Sequence, residues 1–306
     1  MSDKKPFPII DAHHHLWDLE RNYYPWLSDH PEPNFFLGDY TALKRRYMPD
    51  DYRRDAAGFE IVGTVHVEAE WDRDDQVGET RWIHEVAAEH GMPNAVVGHV
   101  WLDDPEVEAK LAAHAAFPLM RGIRSKPVTA PTADAPFPDG PRSLSDPAWR
   151  EGYRLLGVHR LSYDLRVPFW HLSEAATVIE RHPEIPVVLN HTGFPWNRSE
   201  EGLAAWRAEM VAIARIPWVY VKLSELGLKD APWTVESNRR VVLEALEIFG
   251  VERCMWASNF PPASLRVGYR EQLEGFLDIL SKLSDNERRA VFHDTAKSFY
   301  RMEIPK

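Results

Sequence analysis

The chain has 306 residues, with 47 acidic and 36 basic side chains and a formal net charge of −11. No basic excess is available to neutralise phosphates or to hold the chain on anionic lipid, so a nucleic-acid or lipid-surface role is excluded. The single cysteine, Cys254, excludes an internal disulfide framework and any cysteine-based zinc module.

In chain order, short apolar runs alternate with helical periodicity. Pro8–His13 reads as a strand, and the Pro-rich stretch Trp26–Asp39 reads as a loop. A strand at Ile61–Glu68 precedes a helix at Glu79–His90, and a strand at Ala95–Leu102 precedes a helix at Pro105–Ala115. The strand Leu119–Ser125 leads into a long loop, Lys126–Pro147, of the length expected of a lid or pocket wall. Then come strand Val158–Leu165, helix Ser173–Arg181, strand Pro186–His191 and helix Glu200–Ala214. Strand Trp218–Ser224, helix Val235–Phe249, strand Arg253–Ser258, helix Tyr269–Leu283 and a closing helix Asp285–Tyr300 complete the series. Eight strands alternating with helices over this length predict an α/β fold, a (β/α)8 TIM barrel forming one domain over residues 1–306. An open doubly wound sheet lacks support, because no strand is followed by a Gly-rich phosphate loop. No apolar stretch is long enough to span a membrane and no secretory signal is visible, so a cytoplasmic location is expected.

The strongest chemical signal is Asp11-Ala12-His13-His14-His15-Leu16-Trp17 at the end of the first strand. Alternate residues of a strand share a face, so His13 and His15 point together and His14 points away. Two imidazoles converging at a barrel mouth form half of a metal site, or a polar cluster. Other strand ends carry His191, the face Thr64/His66/Glu68, Gly122/Arg124, Tyr220/Lys222/Ser224, and Ser258-Asn259. Trp17, Trp26, Trp71, Trp101 and Trp196 lie near strand ends, where they form pocket walls or ordinary core. His84, His90, His114 and His182 fall on or beside helices and read as surface residues.

These words in this order resemble the amidohydrolase superfamily, in the amidohydrolase-2 branch of predicted metal-dependent TIM-barrel hydrolases. That branch includes L-fuconolactonase-like and 2-pyrone-4,6-dicarboxylate lactonases. The carriers run from Asp11-Ala12-His13-His14-His15-Leu16-Trp17-Asp18 through His66-Val67-Glu68-Ala69 and Arg121-Gly122-Ile123-Arg124. They continue through Asn190-His191-Thr192-Gly193 and Val221-Lys222-Leu223-Ser224 to Ala257-Ser258-Asn259-Phe260-Pro261. The resemblance implies a site at the C-terminal barrel face, with His13, His15 and His191 as ligands of one divalent metal, zinc or manganese. It also implies an aspartate after the strand-eight serine, and here that position is Asn259. Asn cannot take a proton as a carboxylate does and is a poorer ligand, so a metal-free site is the alternative.

The expected activity is hydrolysis of a small anionic lactone, a sugar-acid or aromatic-catabolic one, by attack of water on the carbonyl. Glu68 is the expected base in place of the missing aspartate, with Glu225 and Asp164 behind it. His191, Lys222 and Asn259 complete the catalytic set. Arg124, then Arg121, would grip a substrate carboxylate, with Trp17 and His66 lining the site. The expected partner is a small anionic molecule, with self-association left open. A decarboxylase or hydratase on the same fold, and a barrel that binds a carboxylate or sugar without turnover, are the rival readings.

Overall fold

The computed structural model describes residues 7–304. Its eight strands are β1 (Ile9–His14), β2 (Ile61–Val67), β3 (Ala95–Gly98), β4 (Met120–Ile123), β5 (Ser162–Leu165), β6 (Val187–Leu189), β7 (Val219–Leu223) and β8 (Cys254–Trp256). They form one sheet in the order β1 to β8, each strand parallel to the next. The ring closes just beyond β8. There the Asn259 N–H donates to the His13 carbonyl at 2.8 Å, and the His15 N–H donates to the Phe260 carbonyl at 2.8 Å.

Around this ring stand α1 (Pro49–Asp55), α2 (Gly78–His90), α3 (Val107–Ala115), α4 (Pro147–Val158), α5 (Leu172–Ile179), α6 (Glu200–Ile213), α7 (Val235–Phe249) and α8 (Tyr269–Ile279). A final stretch runs from α9 (Asp285–Arg289) through a π turn to α10 (Thr295–Phe299). The sequence pattern misses α1 and gives no bounds for α4, although Trp149 within it reads as helical. The start of α4 is marked by Asp146-Pro147: the Asp146 carboxylate accepts from the Ala148 N–H at 2.9 Å, and proline suits a first helical position. The predicted fifth strand therefore begins too early. Val158 is the last residue of α4 and 61% exposed, and the chain turns through Arg160 at φ 55° before β5 begins.

Two apolar layers hold the barrel. The larger lies between strands and helices. The smaller fills the barrel's floor, where Ile10, Val65, Val67, Val97, Val188 and Met255 pack with Phe299 and Met302 of the C-terminal segment. This layer decides the direction of β2. Val65 and Val67 face the interior, so His66 faces α2. On β1 a register shift between Asp11 and His14 inserts one extra residue. His13 and His15 then meet inside, while His14 packs outward against the Tyr52 ring at 4.8 Å. Among the described residues no helix is long and apolar enough to cross a membrane.

Candidate active site

A polar layer rests on the apolar floor. Lys222 of β7 is fully buried, and its ammonium donates to Asp164 Oδ2 of β5 at 2.5 Å. Asn190 Nδ2 (3.0 Å) and Tyr300 OH (2.9 Å to Oδ1) donate to the same carboxylate. Burial pulls the Lys222 amine down to about 8 against the opposing pull of Asp164, so it is an ammonium at neutral pH. Lys222 Nζ also lies 3.3 Å from His13 Nδ1. An ammonium only donates, so Nδ1 accepts and the His13 proton sits on Nε2.

His15 has the opposite tautomer. Its Nδ1 lies 2.7 Å from the Val67 carbonyl, which only accepts, so Nδ1 carries the proton and Nε2 is bare. Asn259 Oδ1 lies 3.2 Å from that bare nitrogen, and its Nδ2 donates to Glu225. Asparagine also suits the left-handed backbone here, φ 53°, at a lower cost than most side chains. Burial, reinforced by Lys222 at His13 and by Arg124 at His15, holds both imidazoles far below the usual histidine range. Both are therefore neutral at pH 7. Arg124 Nη1 stands 3.4 Å from His13 Nε2; with that nitrogen protonated toward the bare His15 Nε2 at 3.2 Å, the guanidinium N–H finds no acceptor on His13 and remains a free donor. The site thus has two halves: a donor pair, His13 Nε2–H and Arg124 Nη1–H, beside an acceptor pair, His15 Nε2 and Asn259 Oδ1. In the resting arrangement the His13 proton points at His15 Nε2, 3.2 Å away.

The geometry corrects four expected roles. Glu68 is not free to act as a base. Its Oε1 accepts from Arg124 Nε at 2.6 Å, its Oε2 accepts from the Glu70 N–H at 3.0 Å and from Arg73, and the residue is fully buried. Despite burial, the Arg124, Lys126 and Arg73 cations hold its carboxyl far below the usual range. Glu68 is the anchor of Arg124. His66 does not reach substrate either: Nδ1 accepts from the Leu16 N–H at 3.3 Å and Nε2 faces Glu79 Oε1 at 3.1 Å. Arg121 lies outside the site, its Nη1 donating to the Pro118 and Met120 carbonyls at 2.8 Å each. Lys222 is sealed beneath His13 and positions it. Among the helix histidines, His114 is buried rather than on the surface, bonded to Thr80 and to the His99 carbonyl.

His191 follows β6 in a left-handed turn that includes His191, Thr192, Gly193 and Phe194, at φ 57°, 51°, 68° and 56°. Three of these residues carry a Cβ, at about 1–2 kcal/mol each. Such strain persists where a side chain must be aimed. His191 Nδ1 pairs with Ser224 Oγ at 2.9 Å, and its ring lies 4.8 Å from that of His13.

Above these groups opens a cavity of about 480 Å³. His15, Arg124, His191 and Asn259 form its floor, with Trp17, Trp26, Phe35, Phe36 and Trp196 as walls. The Trp17 and Trp26 indole N–H groups donate to the Arg45 and Ala69 carbonyls at 2.6 and 2.9 Å, so these rings offer only apolar surface. Trp71 and Trp101 are not cavity walls; Trp71 packs on Tyr24 and Trp82, and Trp101 on His99. Sequence reasoning missed Lys126, Arg166, Glu70 and Phe36, all of which line the cavity. Position at a strand tip was the available signal for Arg166, which directly follows β5.

As a site for a resident metal, these donor atoms fit in spacing and not in charge. His13 Nε2 and His15 Nε2 are 3.2 Å apart, near the roughly 3.3 Å edge of a zinc tetrahedron with ligands at about 2.0–2.1 Å. The charge and proton pattern does not fit. Lys222 keeps the His13 proton on the nitrogen that would bind, the Arg124 guanidinium stands beside it, and no carboxylate joins the pair. The Ser224 bond leaves His191 Nε2 open, but no group of three His, Cys, Asp or Glu side chains converges as a metal cluster among the described residues.

Comparison with known proteins agrees with this architecture. A family model described as Amidohydrolase matches residues 10–302. An uncharacterised protein, y4mH, of Sinorhizobium fredii is 39% identical over 96% of this chain and 98% of its own length. An L-fucono-1,5-lactonase of Burkholderia multivorans is 28% identical over 97% of each chain. A solved amidohydrolase structure from Burkholderia multivorans, with bound zinc, superposes with TM-score 0.79 at 26% identity, over 97% of this chain and 100% of that one.

Proposed function

This chain belongs to the amidohydrolase family of hydrolases, and we propose that it opens a small anionic lactone by attack of water on the ring carbonyl. The observation that carries this reading is the opposed pair of tautomers, set by Lys222 on His13 and by the Val67 carbonyl on His15. A hydrolytic site needs acceptors for the water's protons and donors for the developing oxyanion, side by side. These two tautomers supply them. The similarity to the L-fucono-1,5-lactonase supports the lactone class.

The chemistry follows from the atoms. Water bound at the acceptor pair gives one hydrogen bond to Asn259 Oδ1 and one to His15 Nε2. Its oxygen attacks the acyl carbon as His15 Nε2 takes the proton. Negative charge collects on the carbonyl oxygen, which receives hydrogen bonds from His13 Nε2–H and Arg124 Nη1–H. The intermediate collapses with cleavage of the bond between acyl carbon and ring oxygen. The ring oxygen takes the proton back from His15, leaving a hydroxy acid. Burial disfavours the protonated imidazole of His15, which opposes the first transfer and favours the second. His191 faces the same cavity.

No step requires a metal in this arrangement, which departs from the metal-bound form that the family resemblance implies. The test is a panel of sugar and unsaturated lactones followed by acid release. Turnover of at least one, at a rate well above spontaneous opening, is expected. Saturable binding with no acid released from any lactone would overturn the reading.

A further inference from the structure

Three cations line the cavity: Arg124, Lys126 and Arg166. Two have carboxylate partners. Arg124 is held by Glu68, through Nε at 2.6 Å and through Nη2 to the Glu68 carbonyl at 2.5 Å. Lys126 is ion-paired with Glu70, which also receives Arg73. Arg166 is different. Among the described residues its guanidinium makes no hydrogen bond and no ion pair. It rests instead over the faces of Phe194, 5.0 Å from the ring centroid, and Phe36, at 5.6 Å.

Two aromatic faces orient a guanidinium without cancelling its charge. The planar fork keeps all its N–H donors, and the cavity is where they are free to act. Withdrawing an unpaired cation from water costs stability. Burial, and then the neighbouring Arg124 charge, bring the Arg166 group down to about 10. Glu68, Glu225 and Glu32 oppose this from a distance, but none is bonded to it. A cation with a purely bracing role would be expected to have a carboxylate partner. Arg166 also shares its support with the reaction centre, since Phe194 ends the left-handed turn that aims His191, with ring centroids 5.1 Å apart.

We propose that Arg166 is the specificity-determining residue of this cavity and receives an ionised carboxylate carried on the substrate ring. The proposal rests on the lactone-hydrolase reading of the same site and replaces Arg124, which is already paired with Glu68, as the anion receptor. The Trp17 and Trp26 walls have their indole N–H groups spent and offer no donor to a carboxylate, which leaves Arg166 as the lining cation without a carboxylate partner.

The test uses one γ-lactone bearing a ring carboxylate and the same lactone as its neutral carboxamide. In Arg166→Met, kcat/KM for the carboxylate should fall about 10–100-fold, mainly through KM, the worth of one charge-assisted bond. The carboxamide should lose less than about 3-fold, and Arg166→Lys should fall between, because it keeps the charge but not the fork. An equal loss on both substrates, or no loss on the carboxylate, overturns the proposal. Should the wild-type protein open neither lactone, the lactonase reading fails separately. Arg166 is then judged by calorimetric binding of the hydroxy diacid that opening would yield. A Kd at least about 10-fold weaker in Arg166→Met sustains the proposal, and equal binding overturns it. Arg166→Gln serves in the same assays if the Met variant does not fold.

Discussion

Lys222→Met gives the sharpest test of the tautomer argument. Methionine keeps most of the stem and removes the ammonium, which makes two buried bonds: 2.5 Å to Asp164 and 3.3 Å to His13 Nδ1. Breaking a buried ion pair from one side typically costs about 3–5 kcal/mol. Asp164 keeps its donors Asn190 and Tyr300 at 3.0 and 2.9 Å, which points to the lower end, about 3 kcal/mol. The catalytic loss has a different origin. Without the ammonium, His13 Nδ1 is no longer obliged to accept, and the donor aimed at the oxyanion is no longer fixed. Loss of one such donor is worth about 10²–10³ in kcat. Adding Asp164→Asn to Lys222→Met removes the stranded charge, so stability should largely recover while kcat stays low. Urea unfolding and kcat at saturating substrate measure the two effects independently. A folded Lys222→Met protein with kcat within about 3-fold of wild type would refute the tautomer argument.

Three further outcomes are expected. His15→Ala should lower kcat by about 10²–10⁴ with little change in melting temperature, as measured by steady-state kinetics beside thermal unfolding. Glu68→Gln should lower activity by misplacing Arg124 and should also flatten the acid limb of stability. The Glu68 carboxyl is held well below 4.5 in the fold, so its contribution is complete above 4.5 and lost as pH falls through the folded value. Unfolding measured from pH 7 down to 3 should show a shallower decline in the variant, and parallel curves would refute this. Prolonged chelation followed by elemental analysis should leave a metal-free protein with kcat within about 2-fold of the untreated sample. Activity lost on chelation and restored by zinc would restore the metal reading of His13 and His15.

Much of this site was legible because strand geometry is periodic. The pairing of His13 with His15, with His14 turned away, follows from alternation and survives the register shift in β1. The strand tips carrying Arg124, His191 and Asn259 were likewise readable. What failed was everything decided by a partner far along the chain. Glu68 reads as a free base until Arg124, on another strand, is seen to consume it. His66 reads as inward until the barrel floor claims Val65 and Val67. Arg166 sits at a readable position, yet its significance lies in having no partner, which only the folded surroundings reveal. The start of α4 had a local signal in Asp146-Pro147, hidden at the end of a long irregular stretch.

The seam that closes the barrel has a bearing on how this protein gains activity. Two backbone hydrogen bonds joining β1 to the segment after β8 are made by His13, His15, Asn259 and Phe260, and three of these four residues also carry the chemistry. A chain with seven strand pairings formed and this last one open would already have most of its secondary structure. It would have no acceptor pair, because Asn259 reaches His15 only across the seam. Recovered turnover during refolding therefore reports a single joint, and a substrate analogue bound there works as a clasp. By mass action it should slow amide exchange at Asn259 and His15 more than at the far side of the ring.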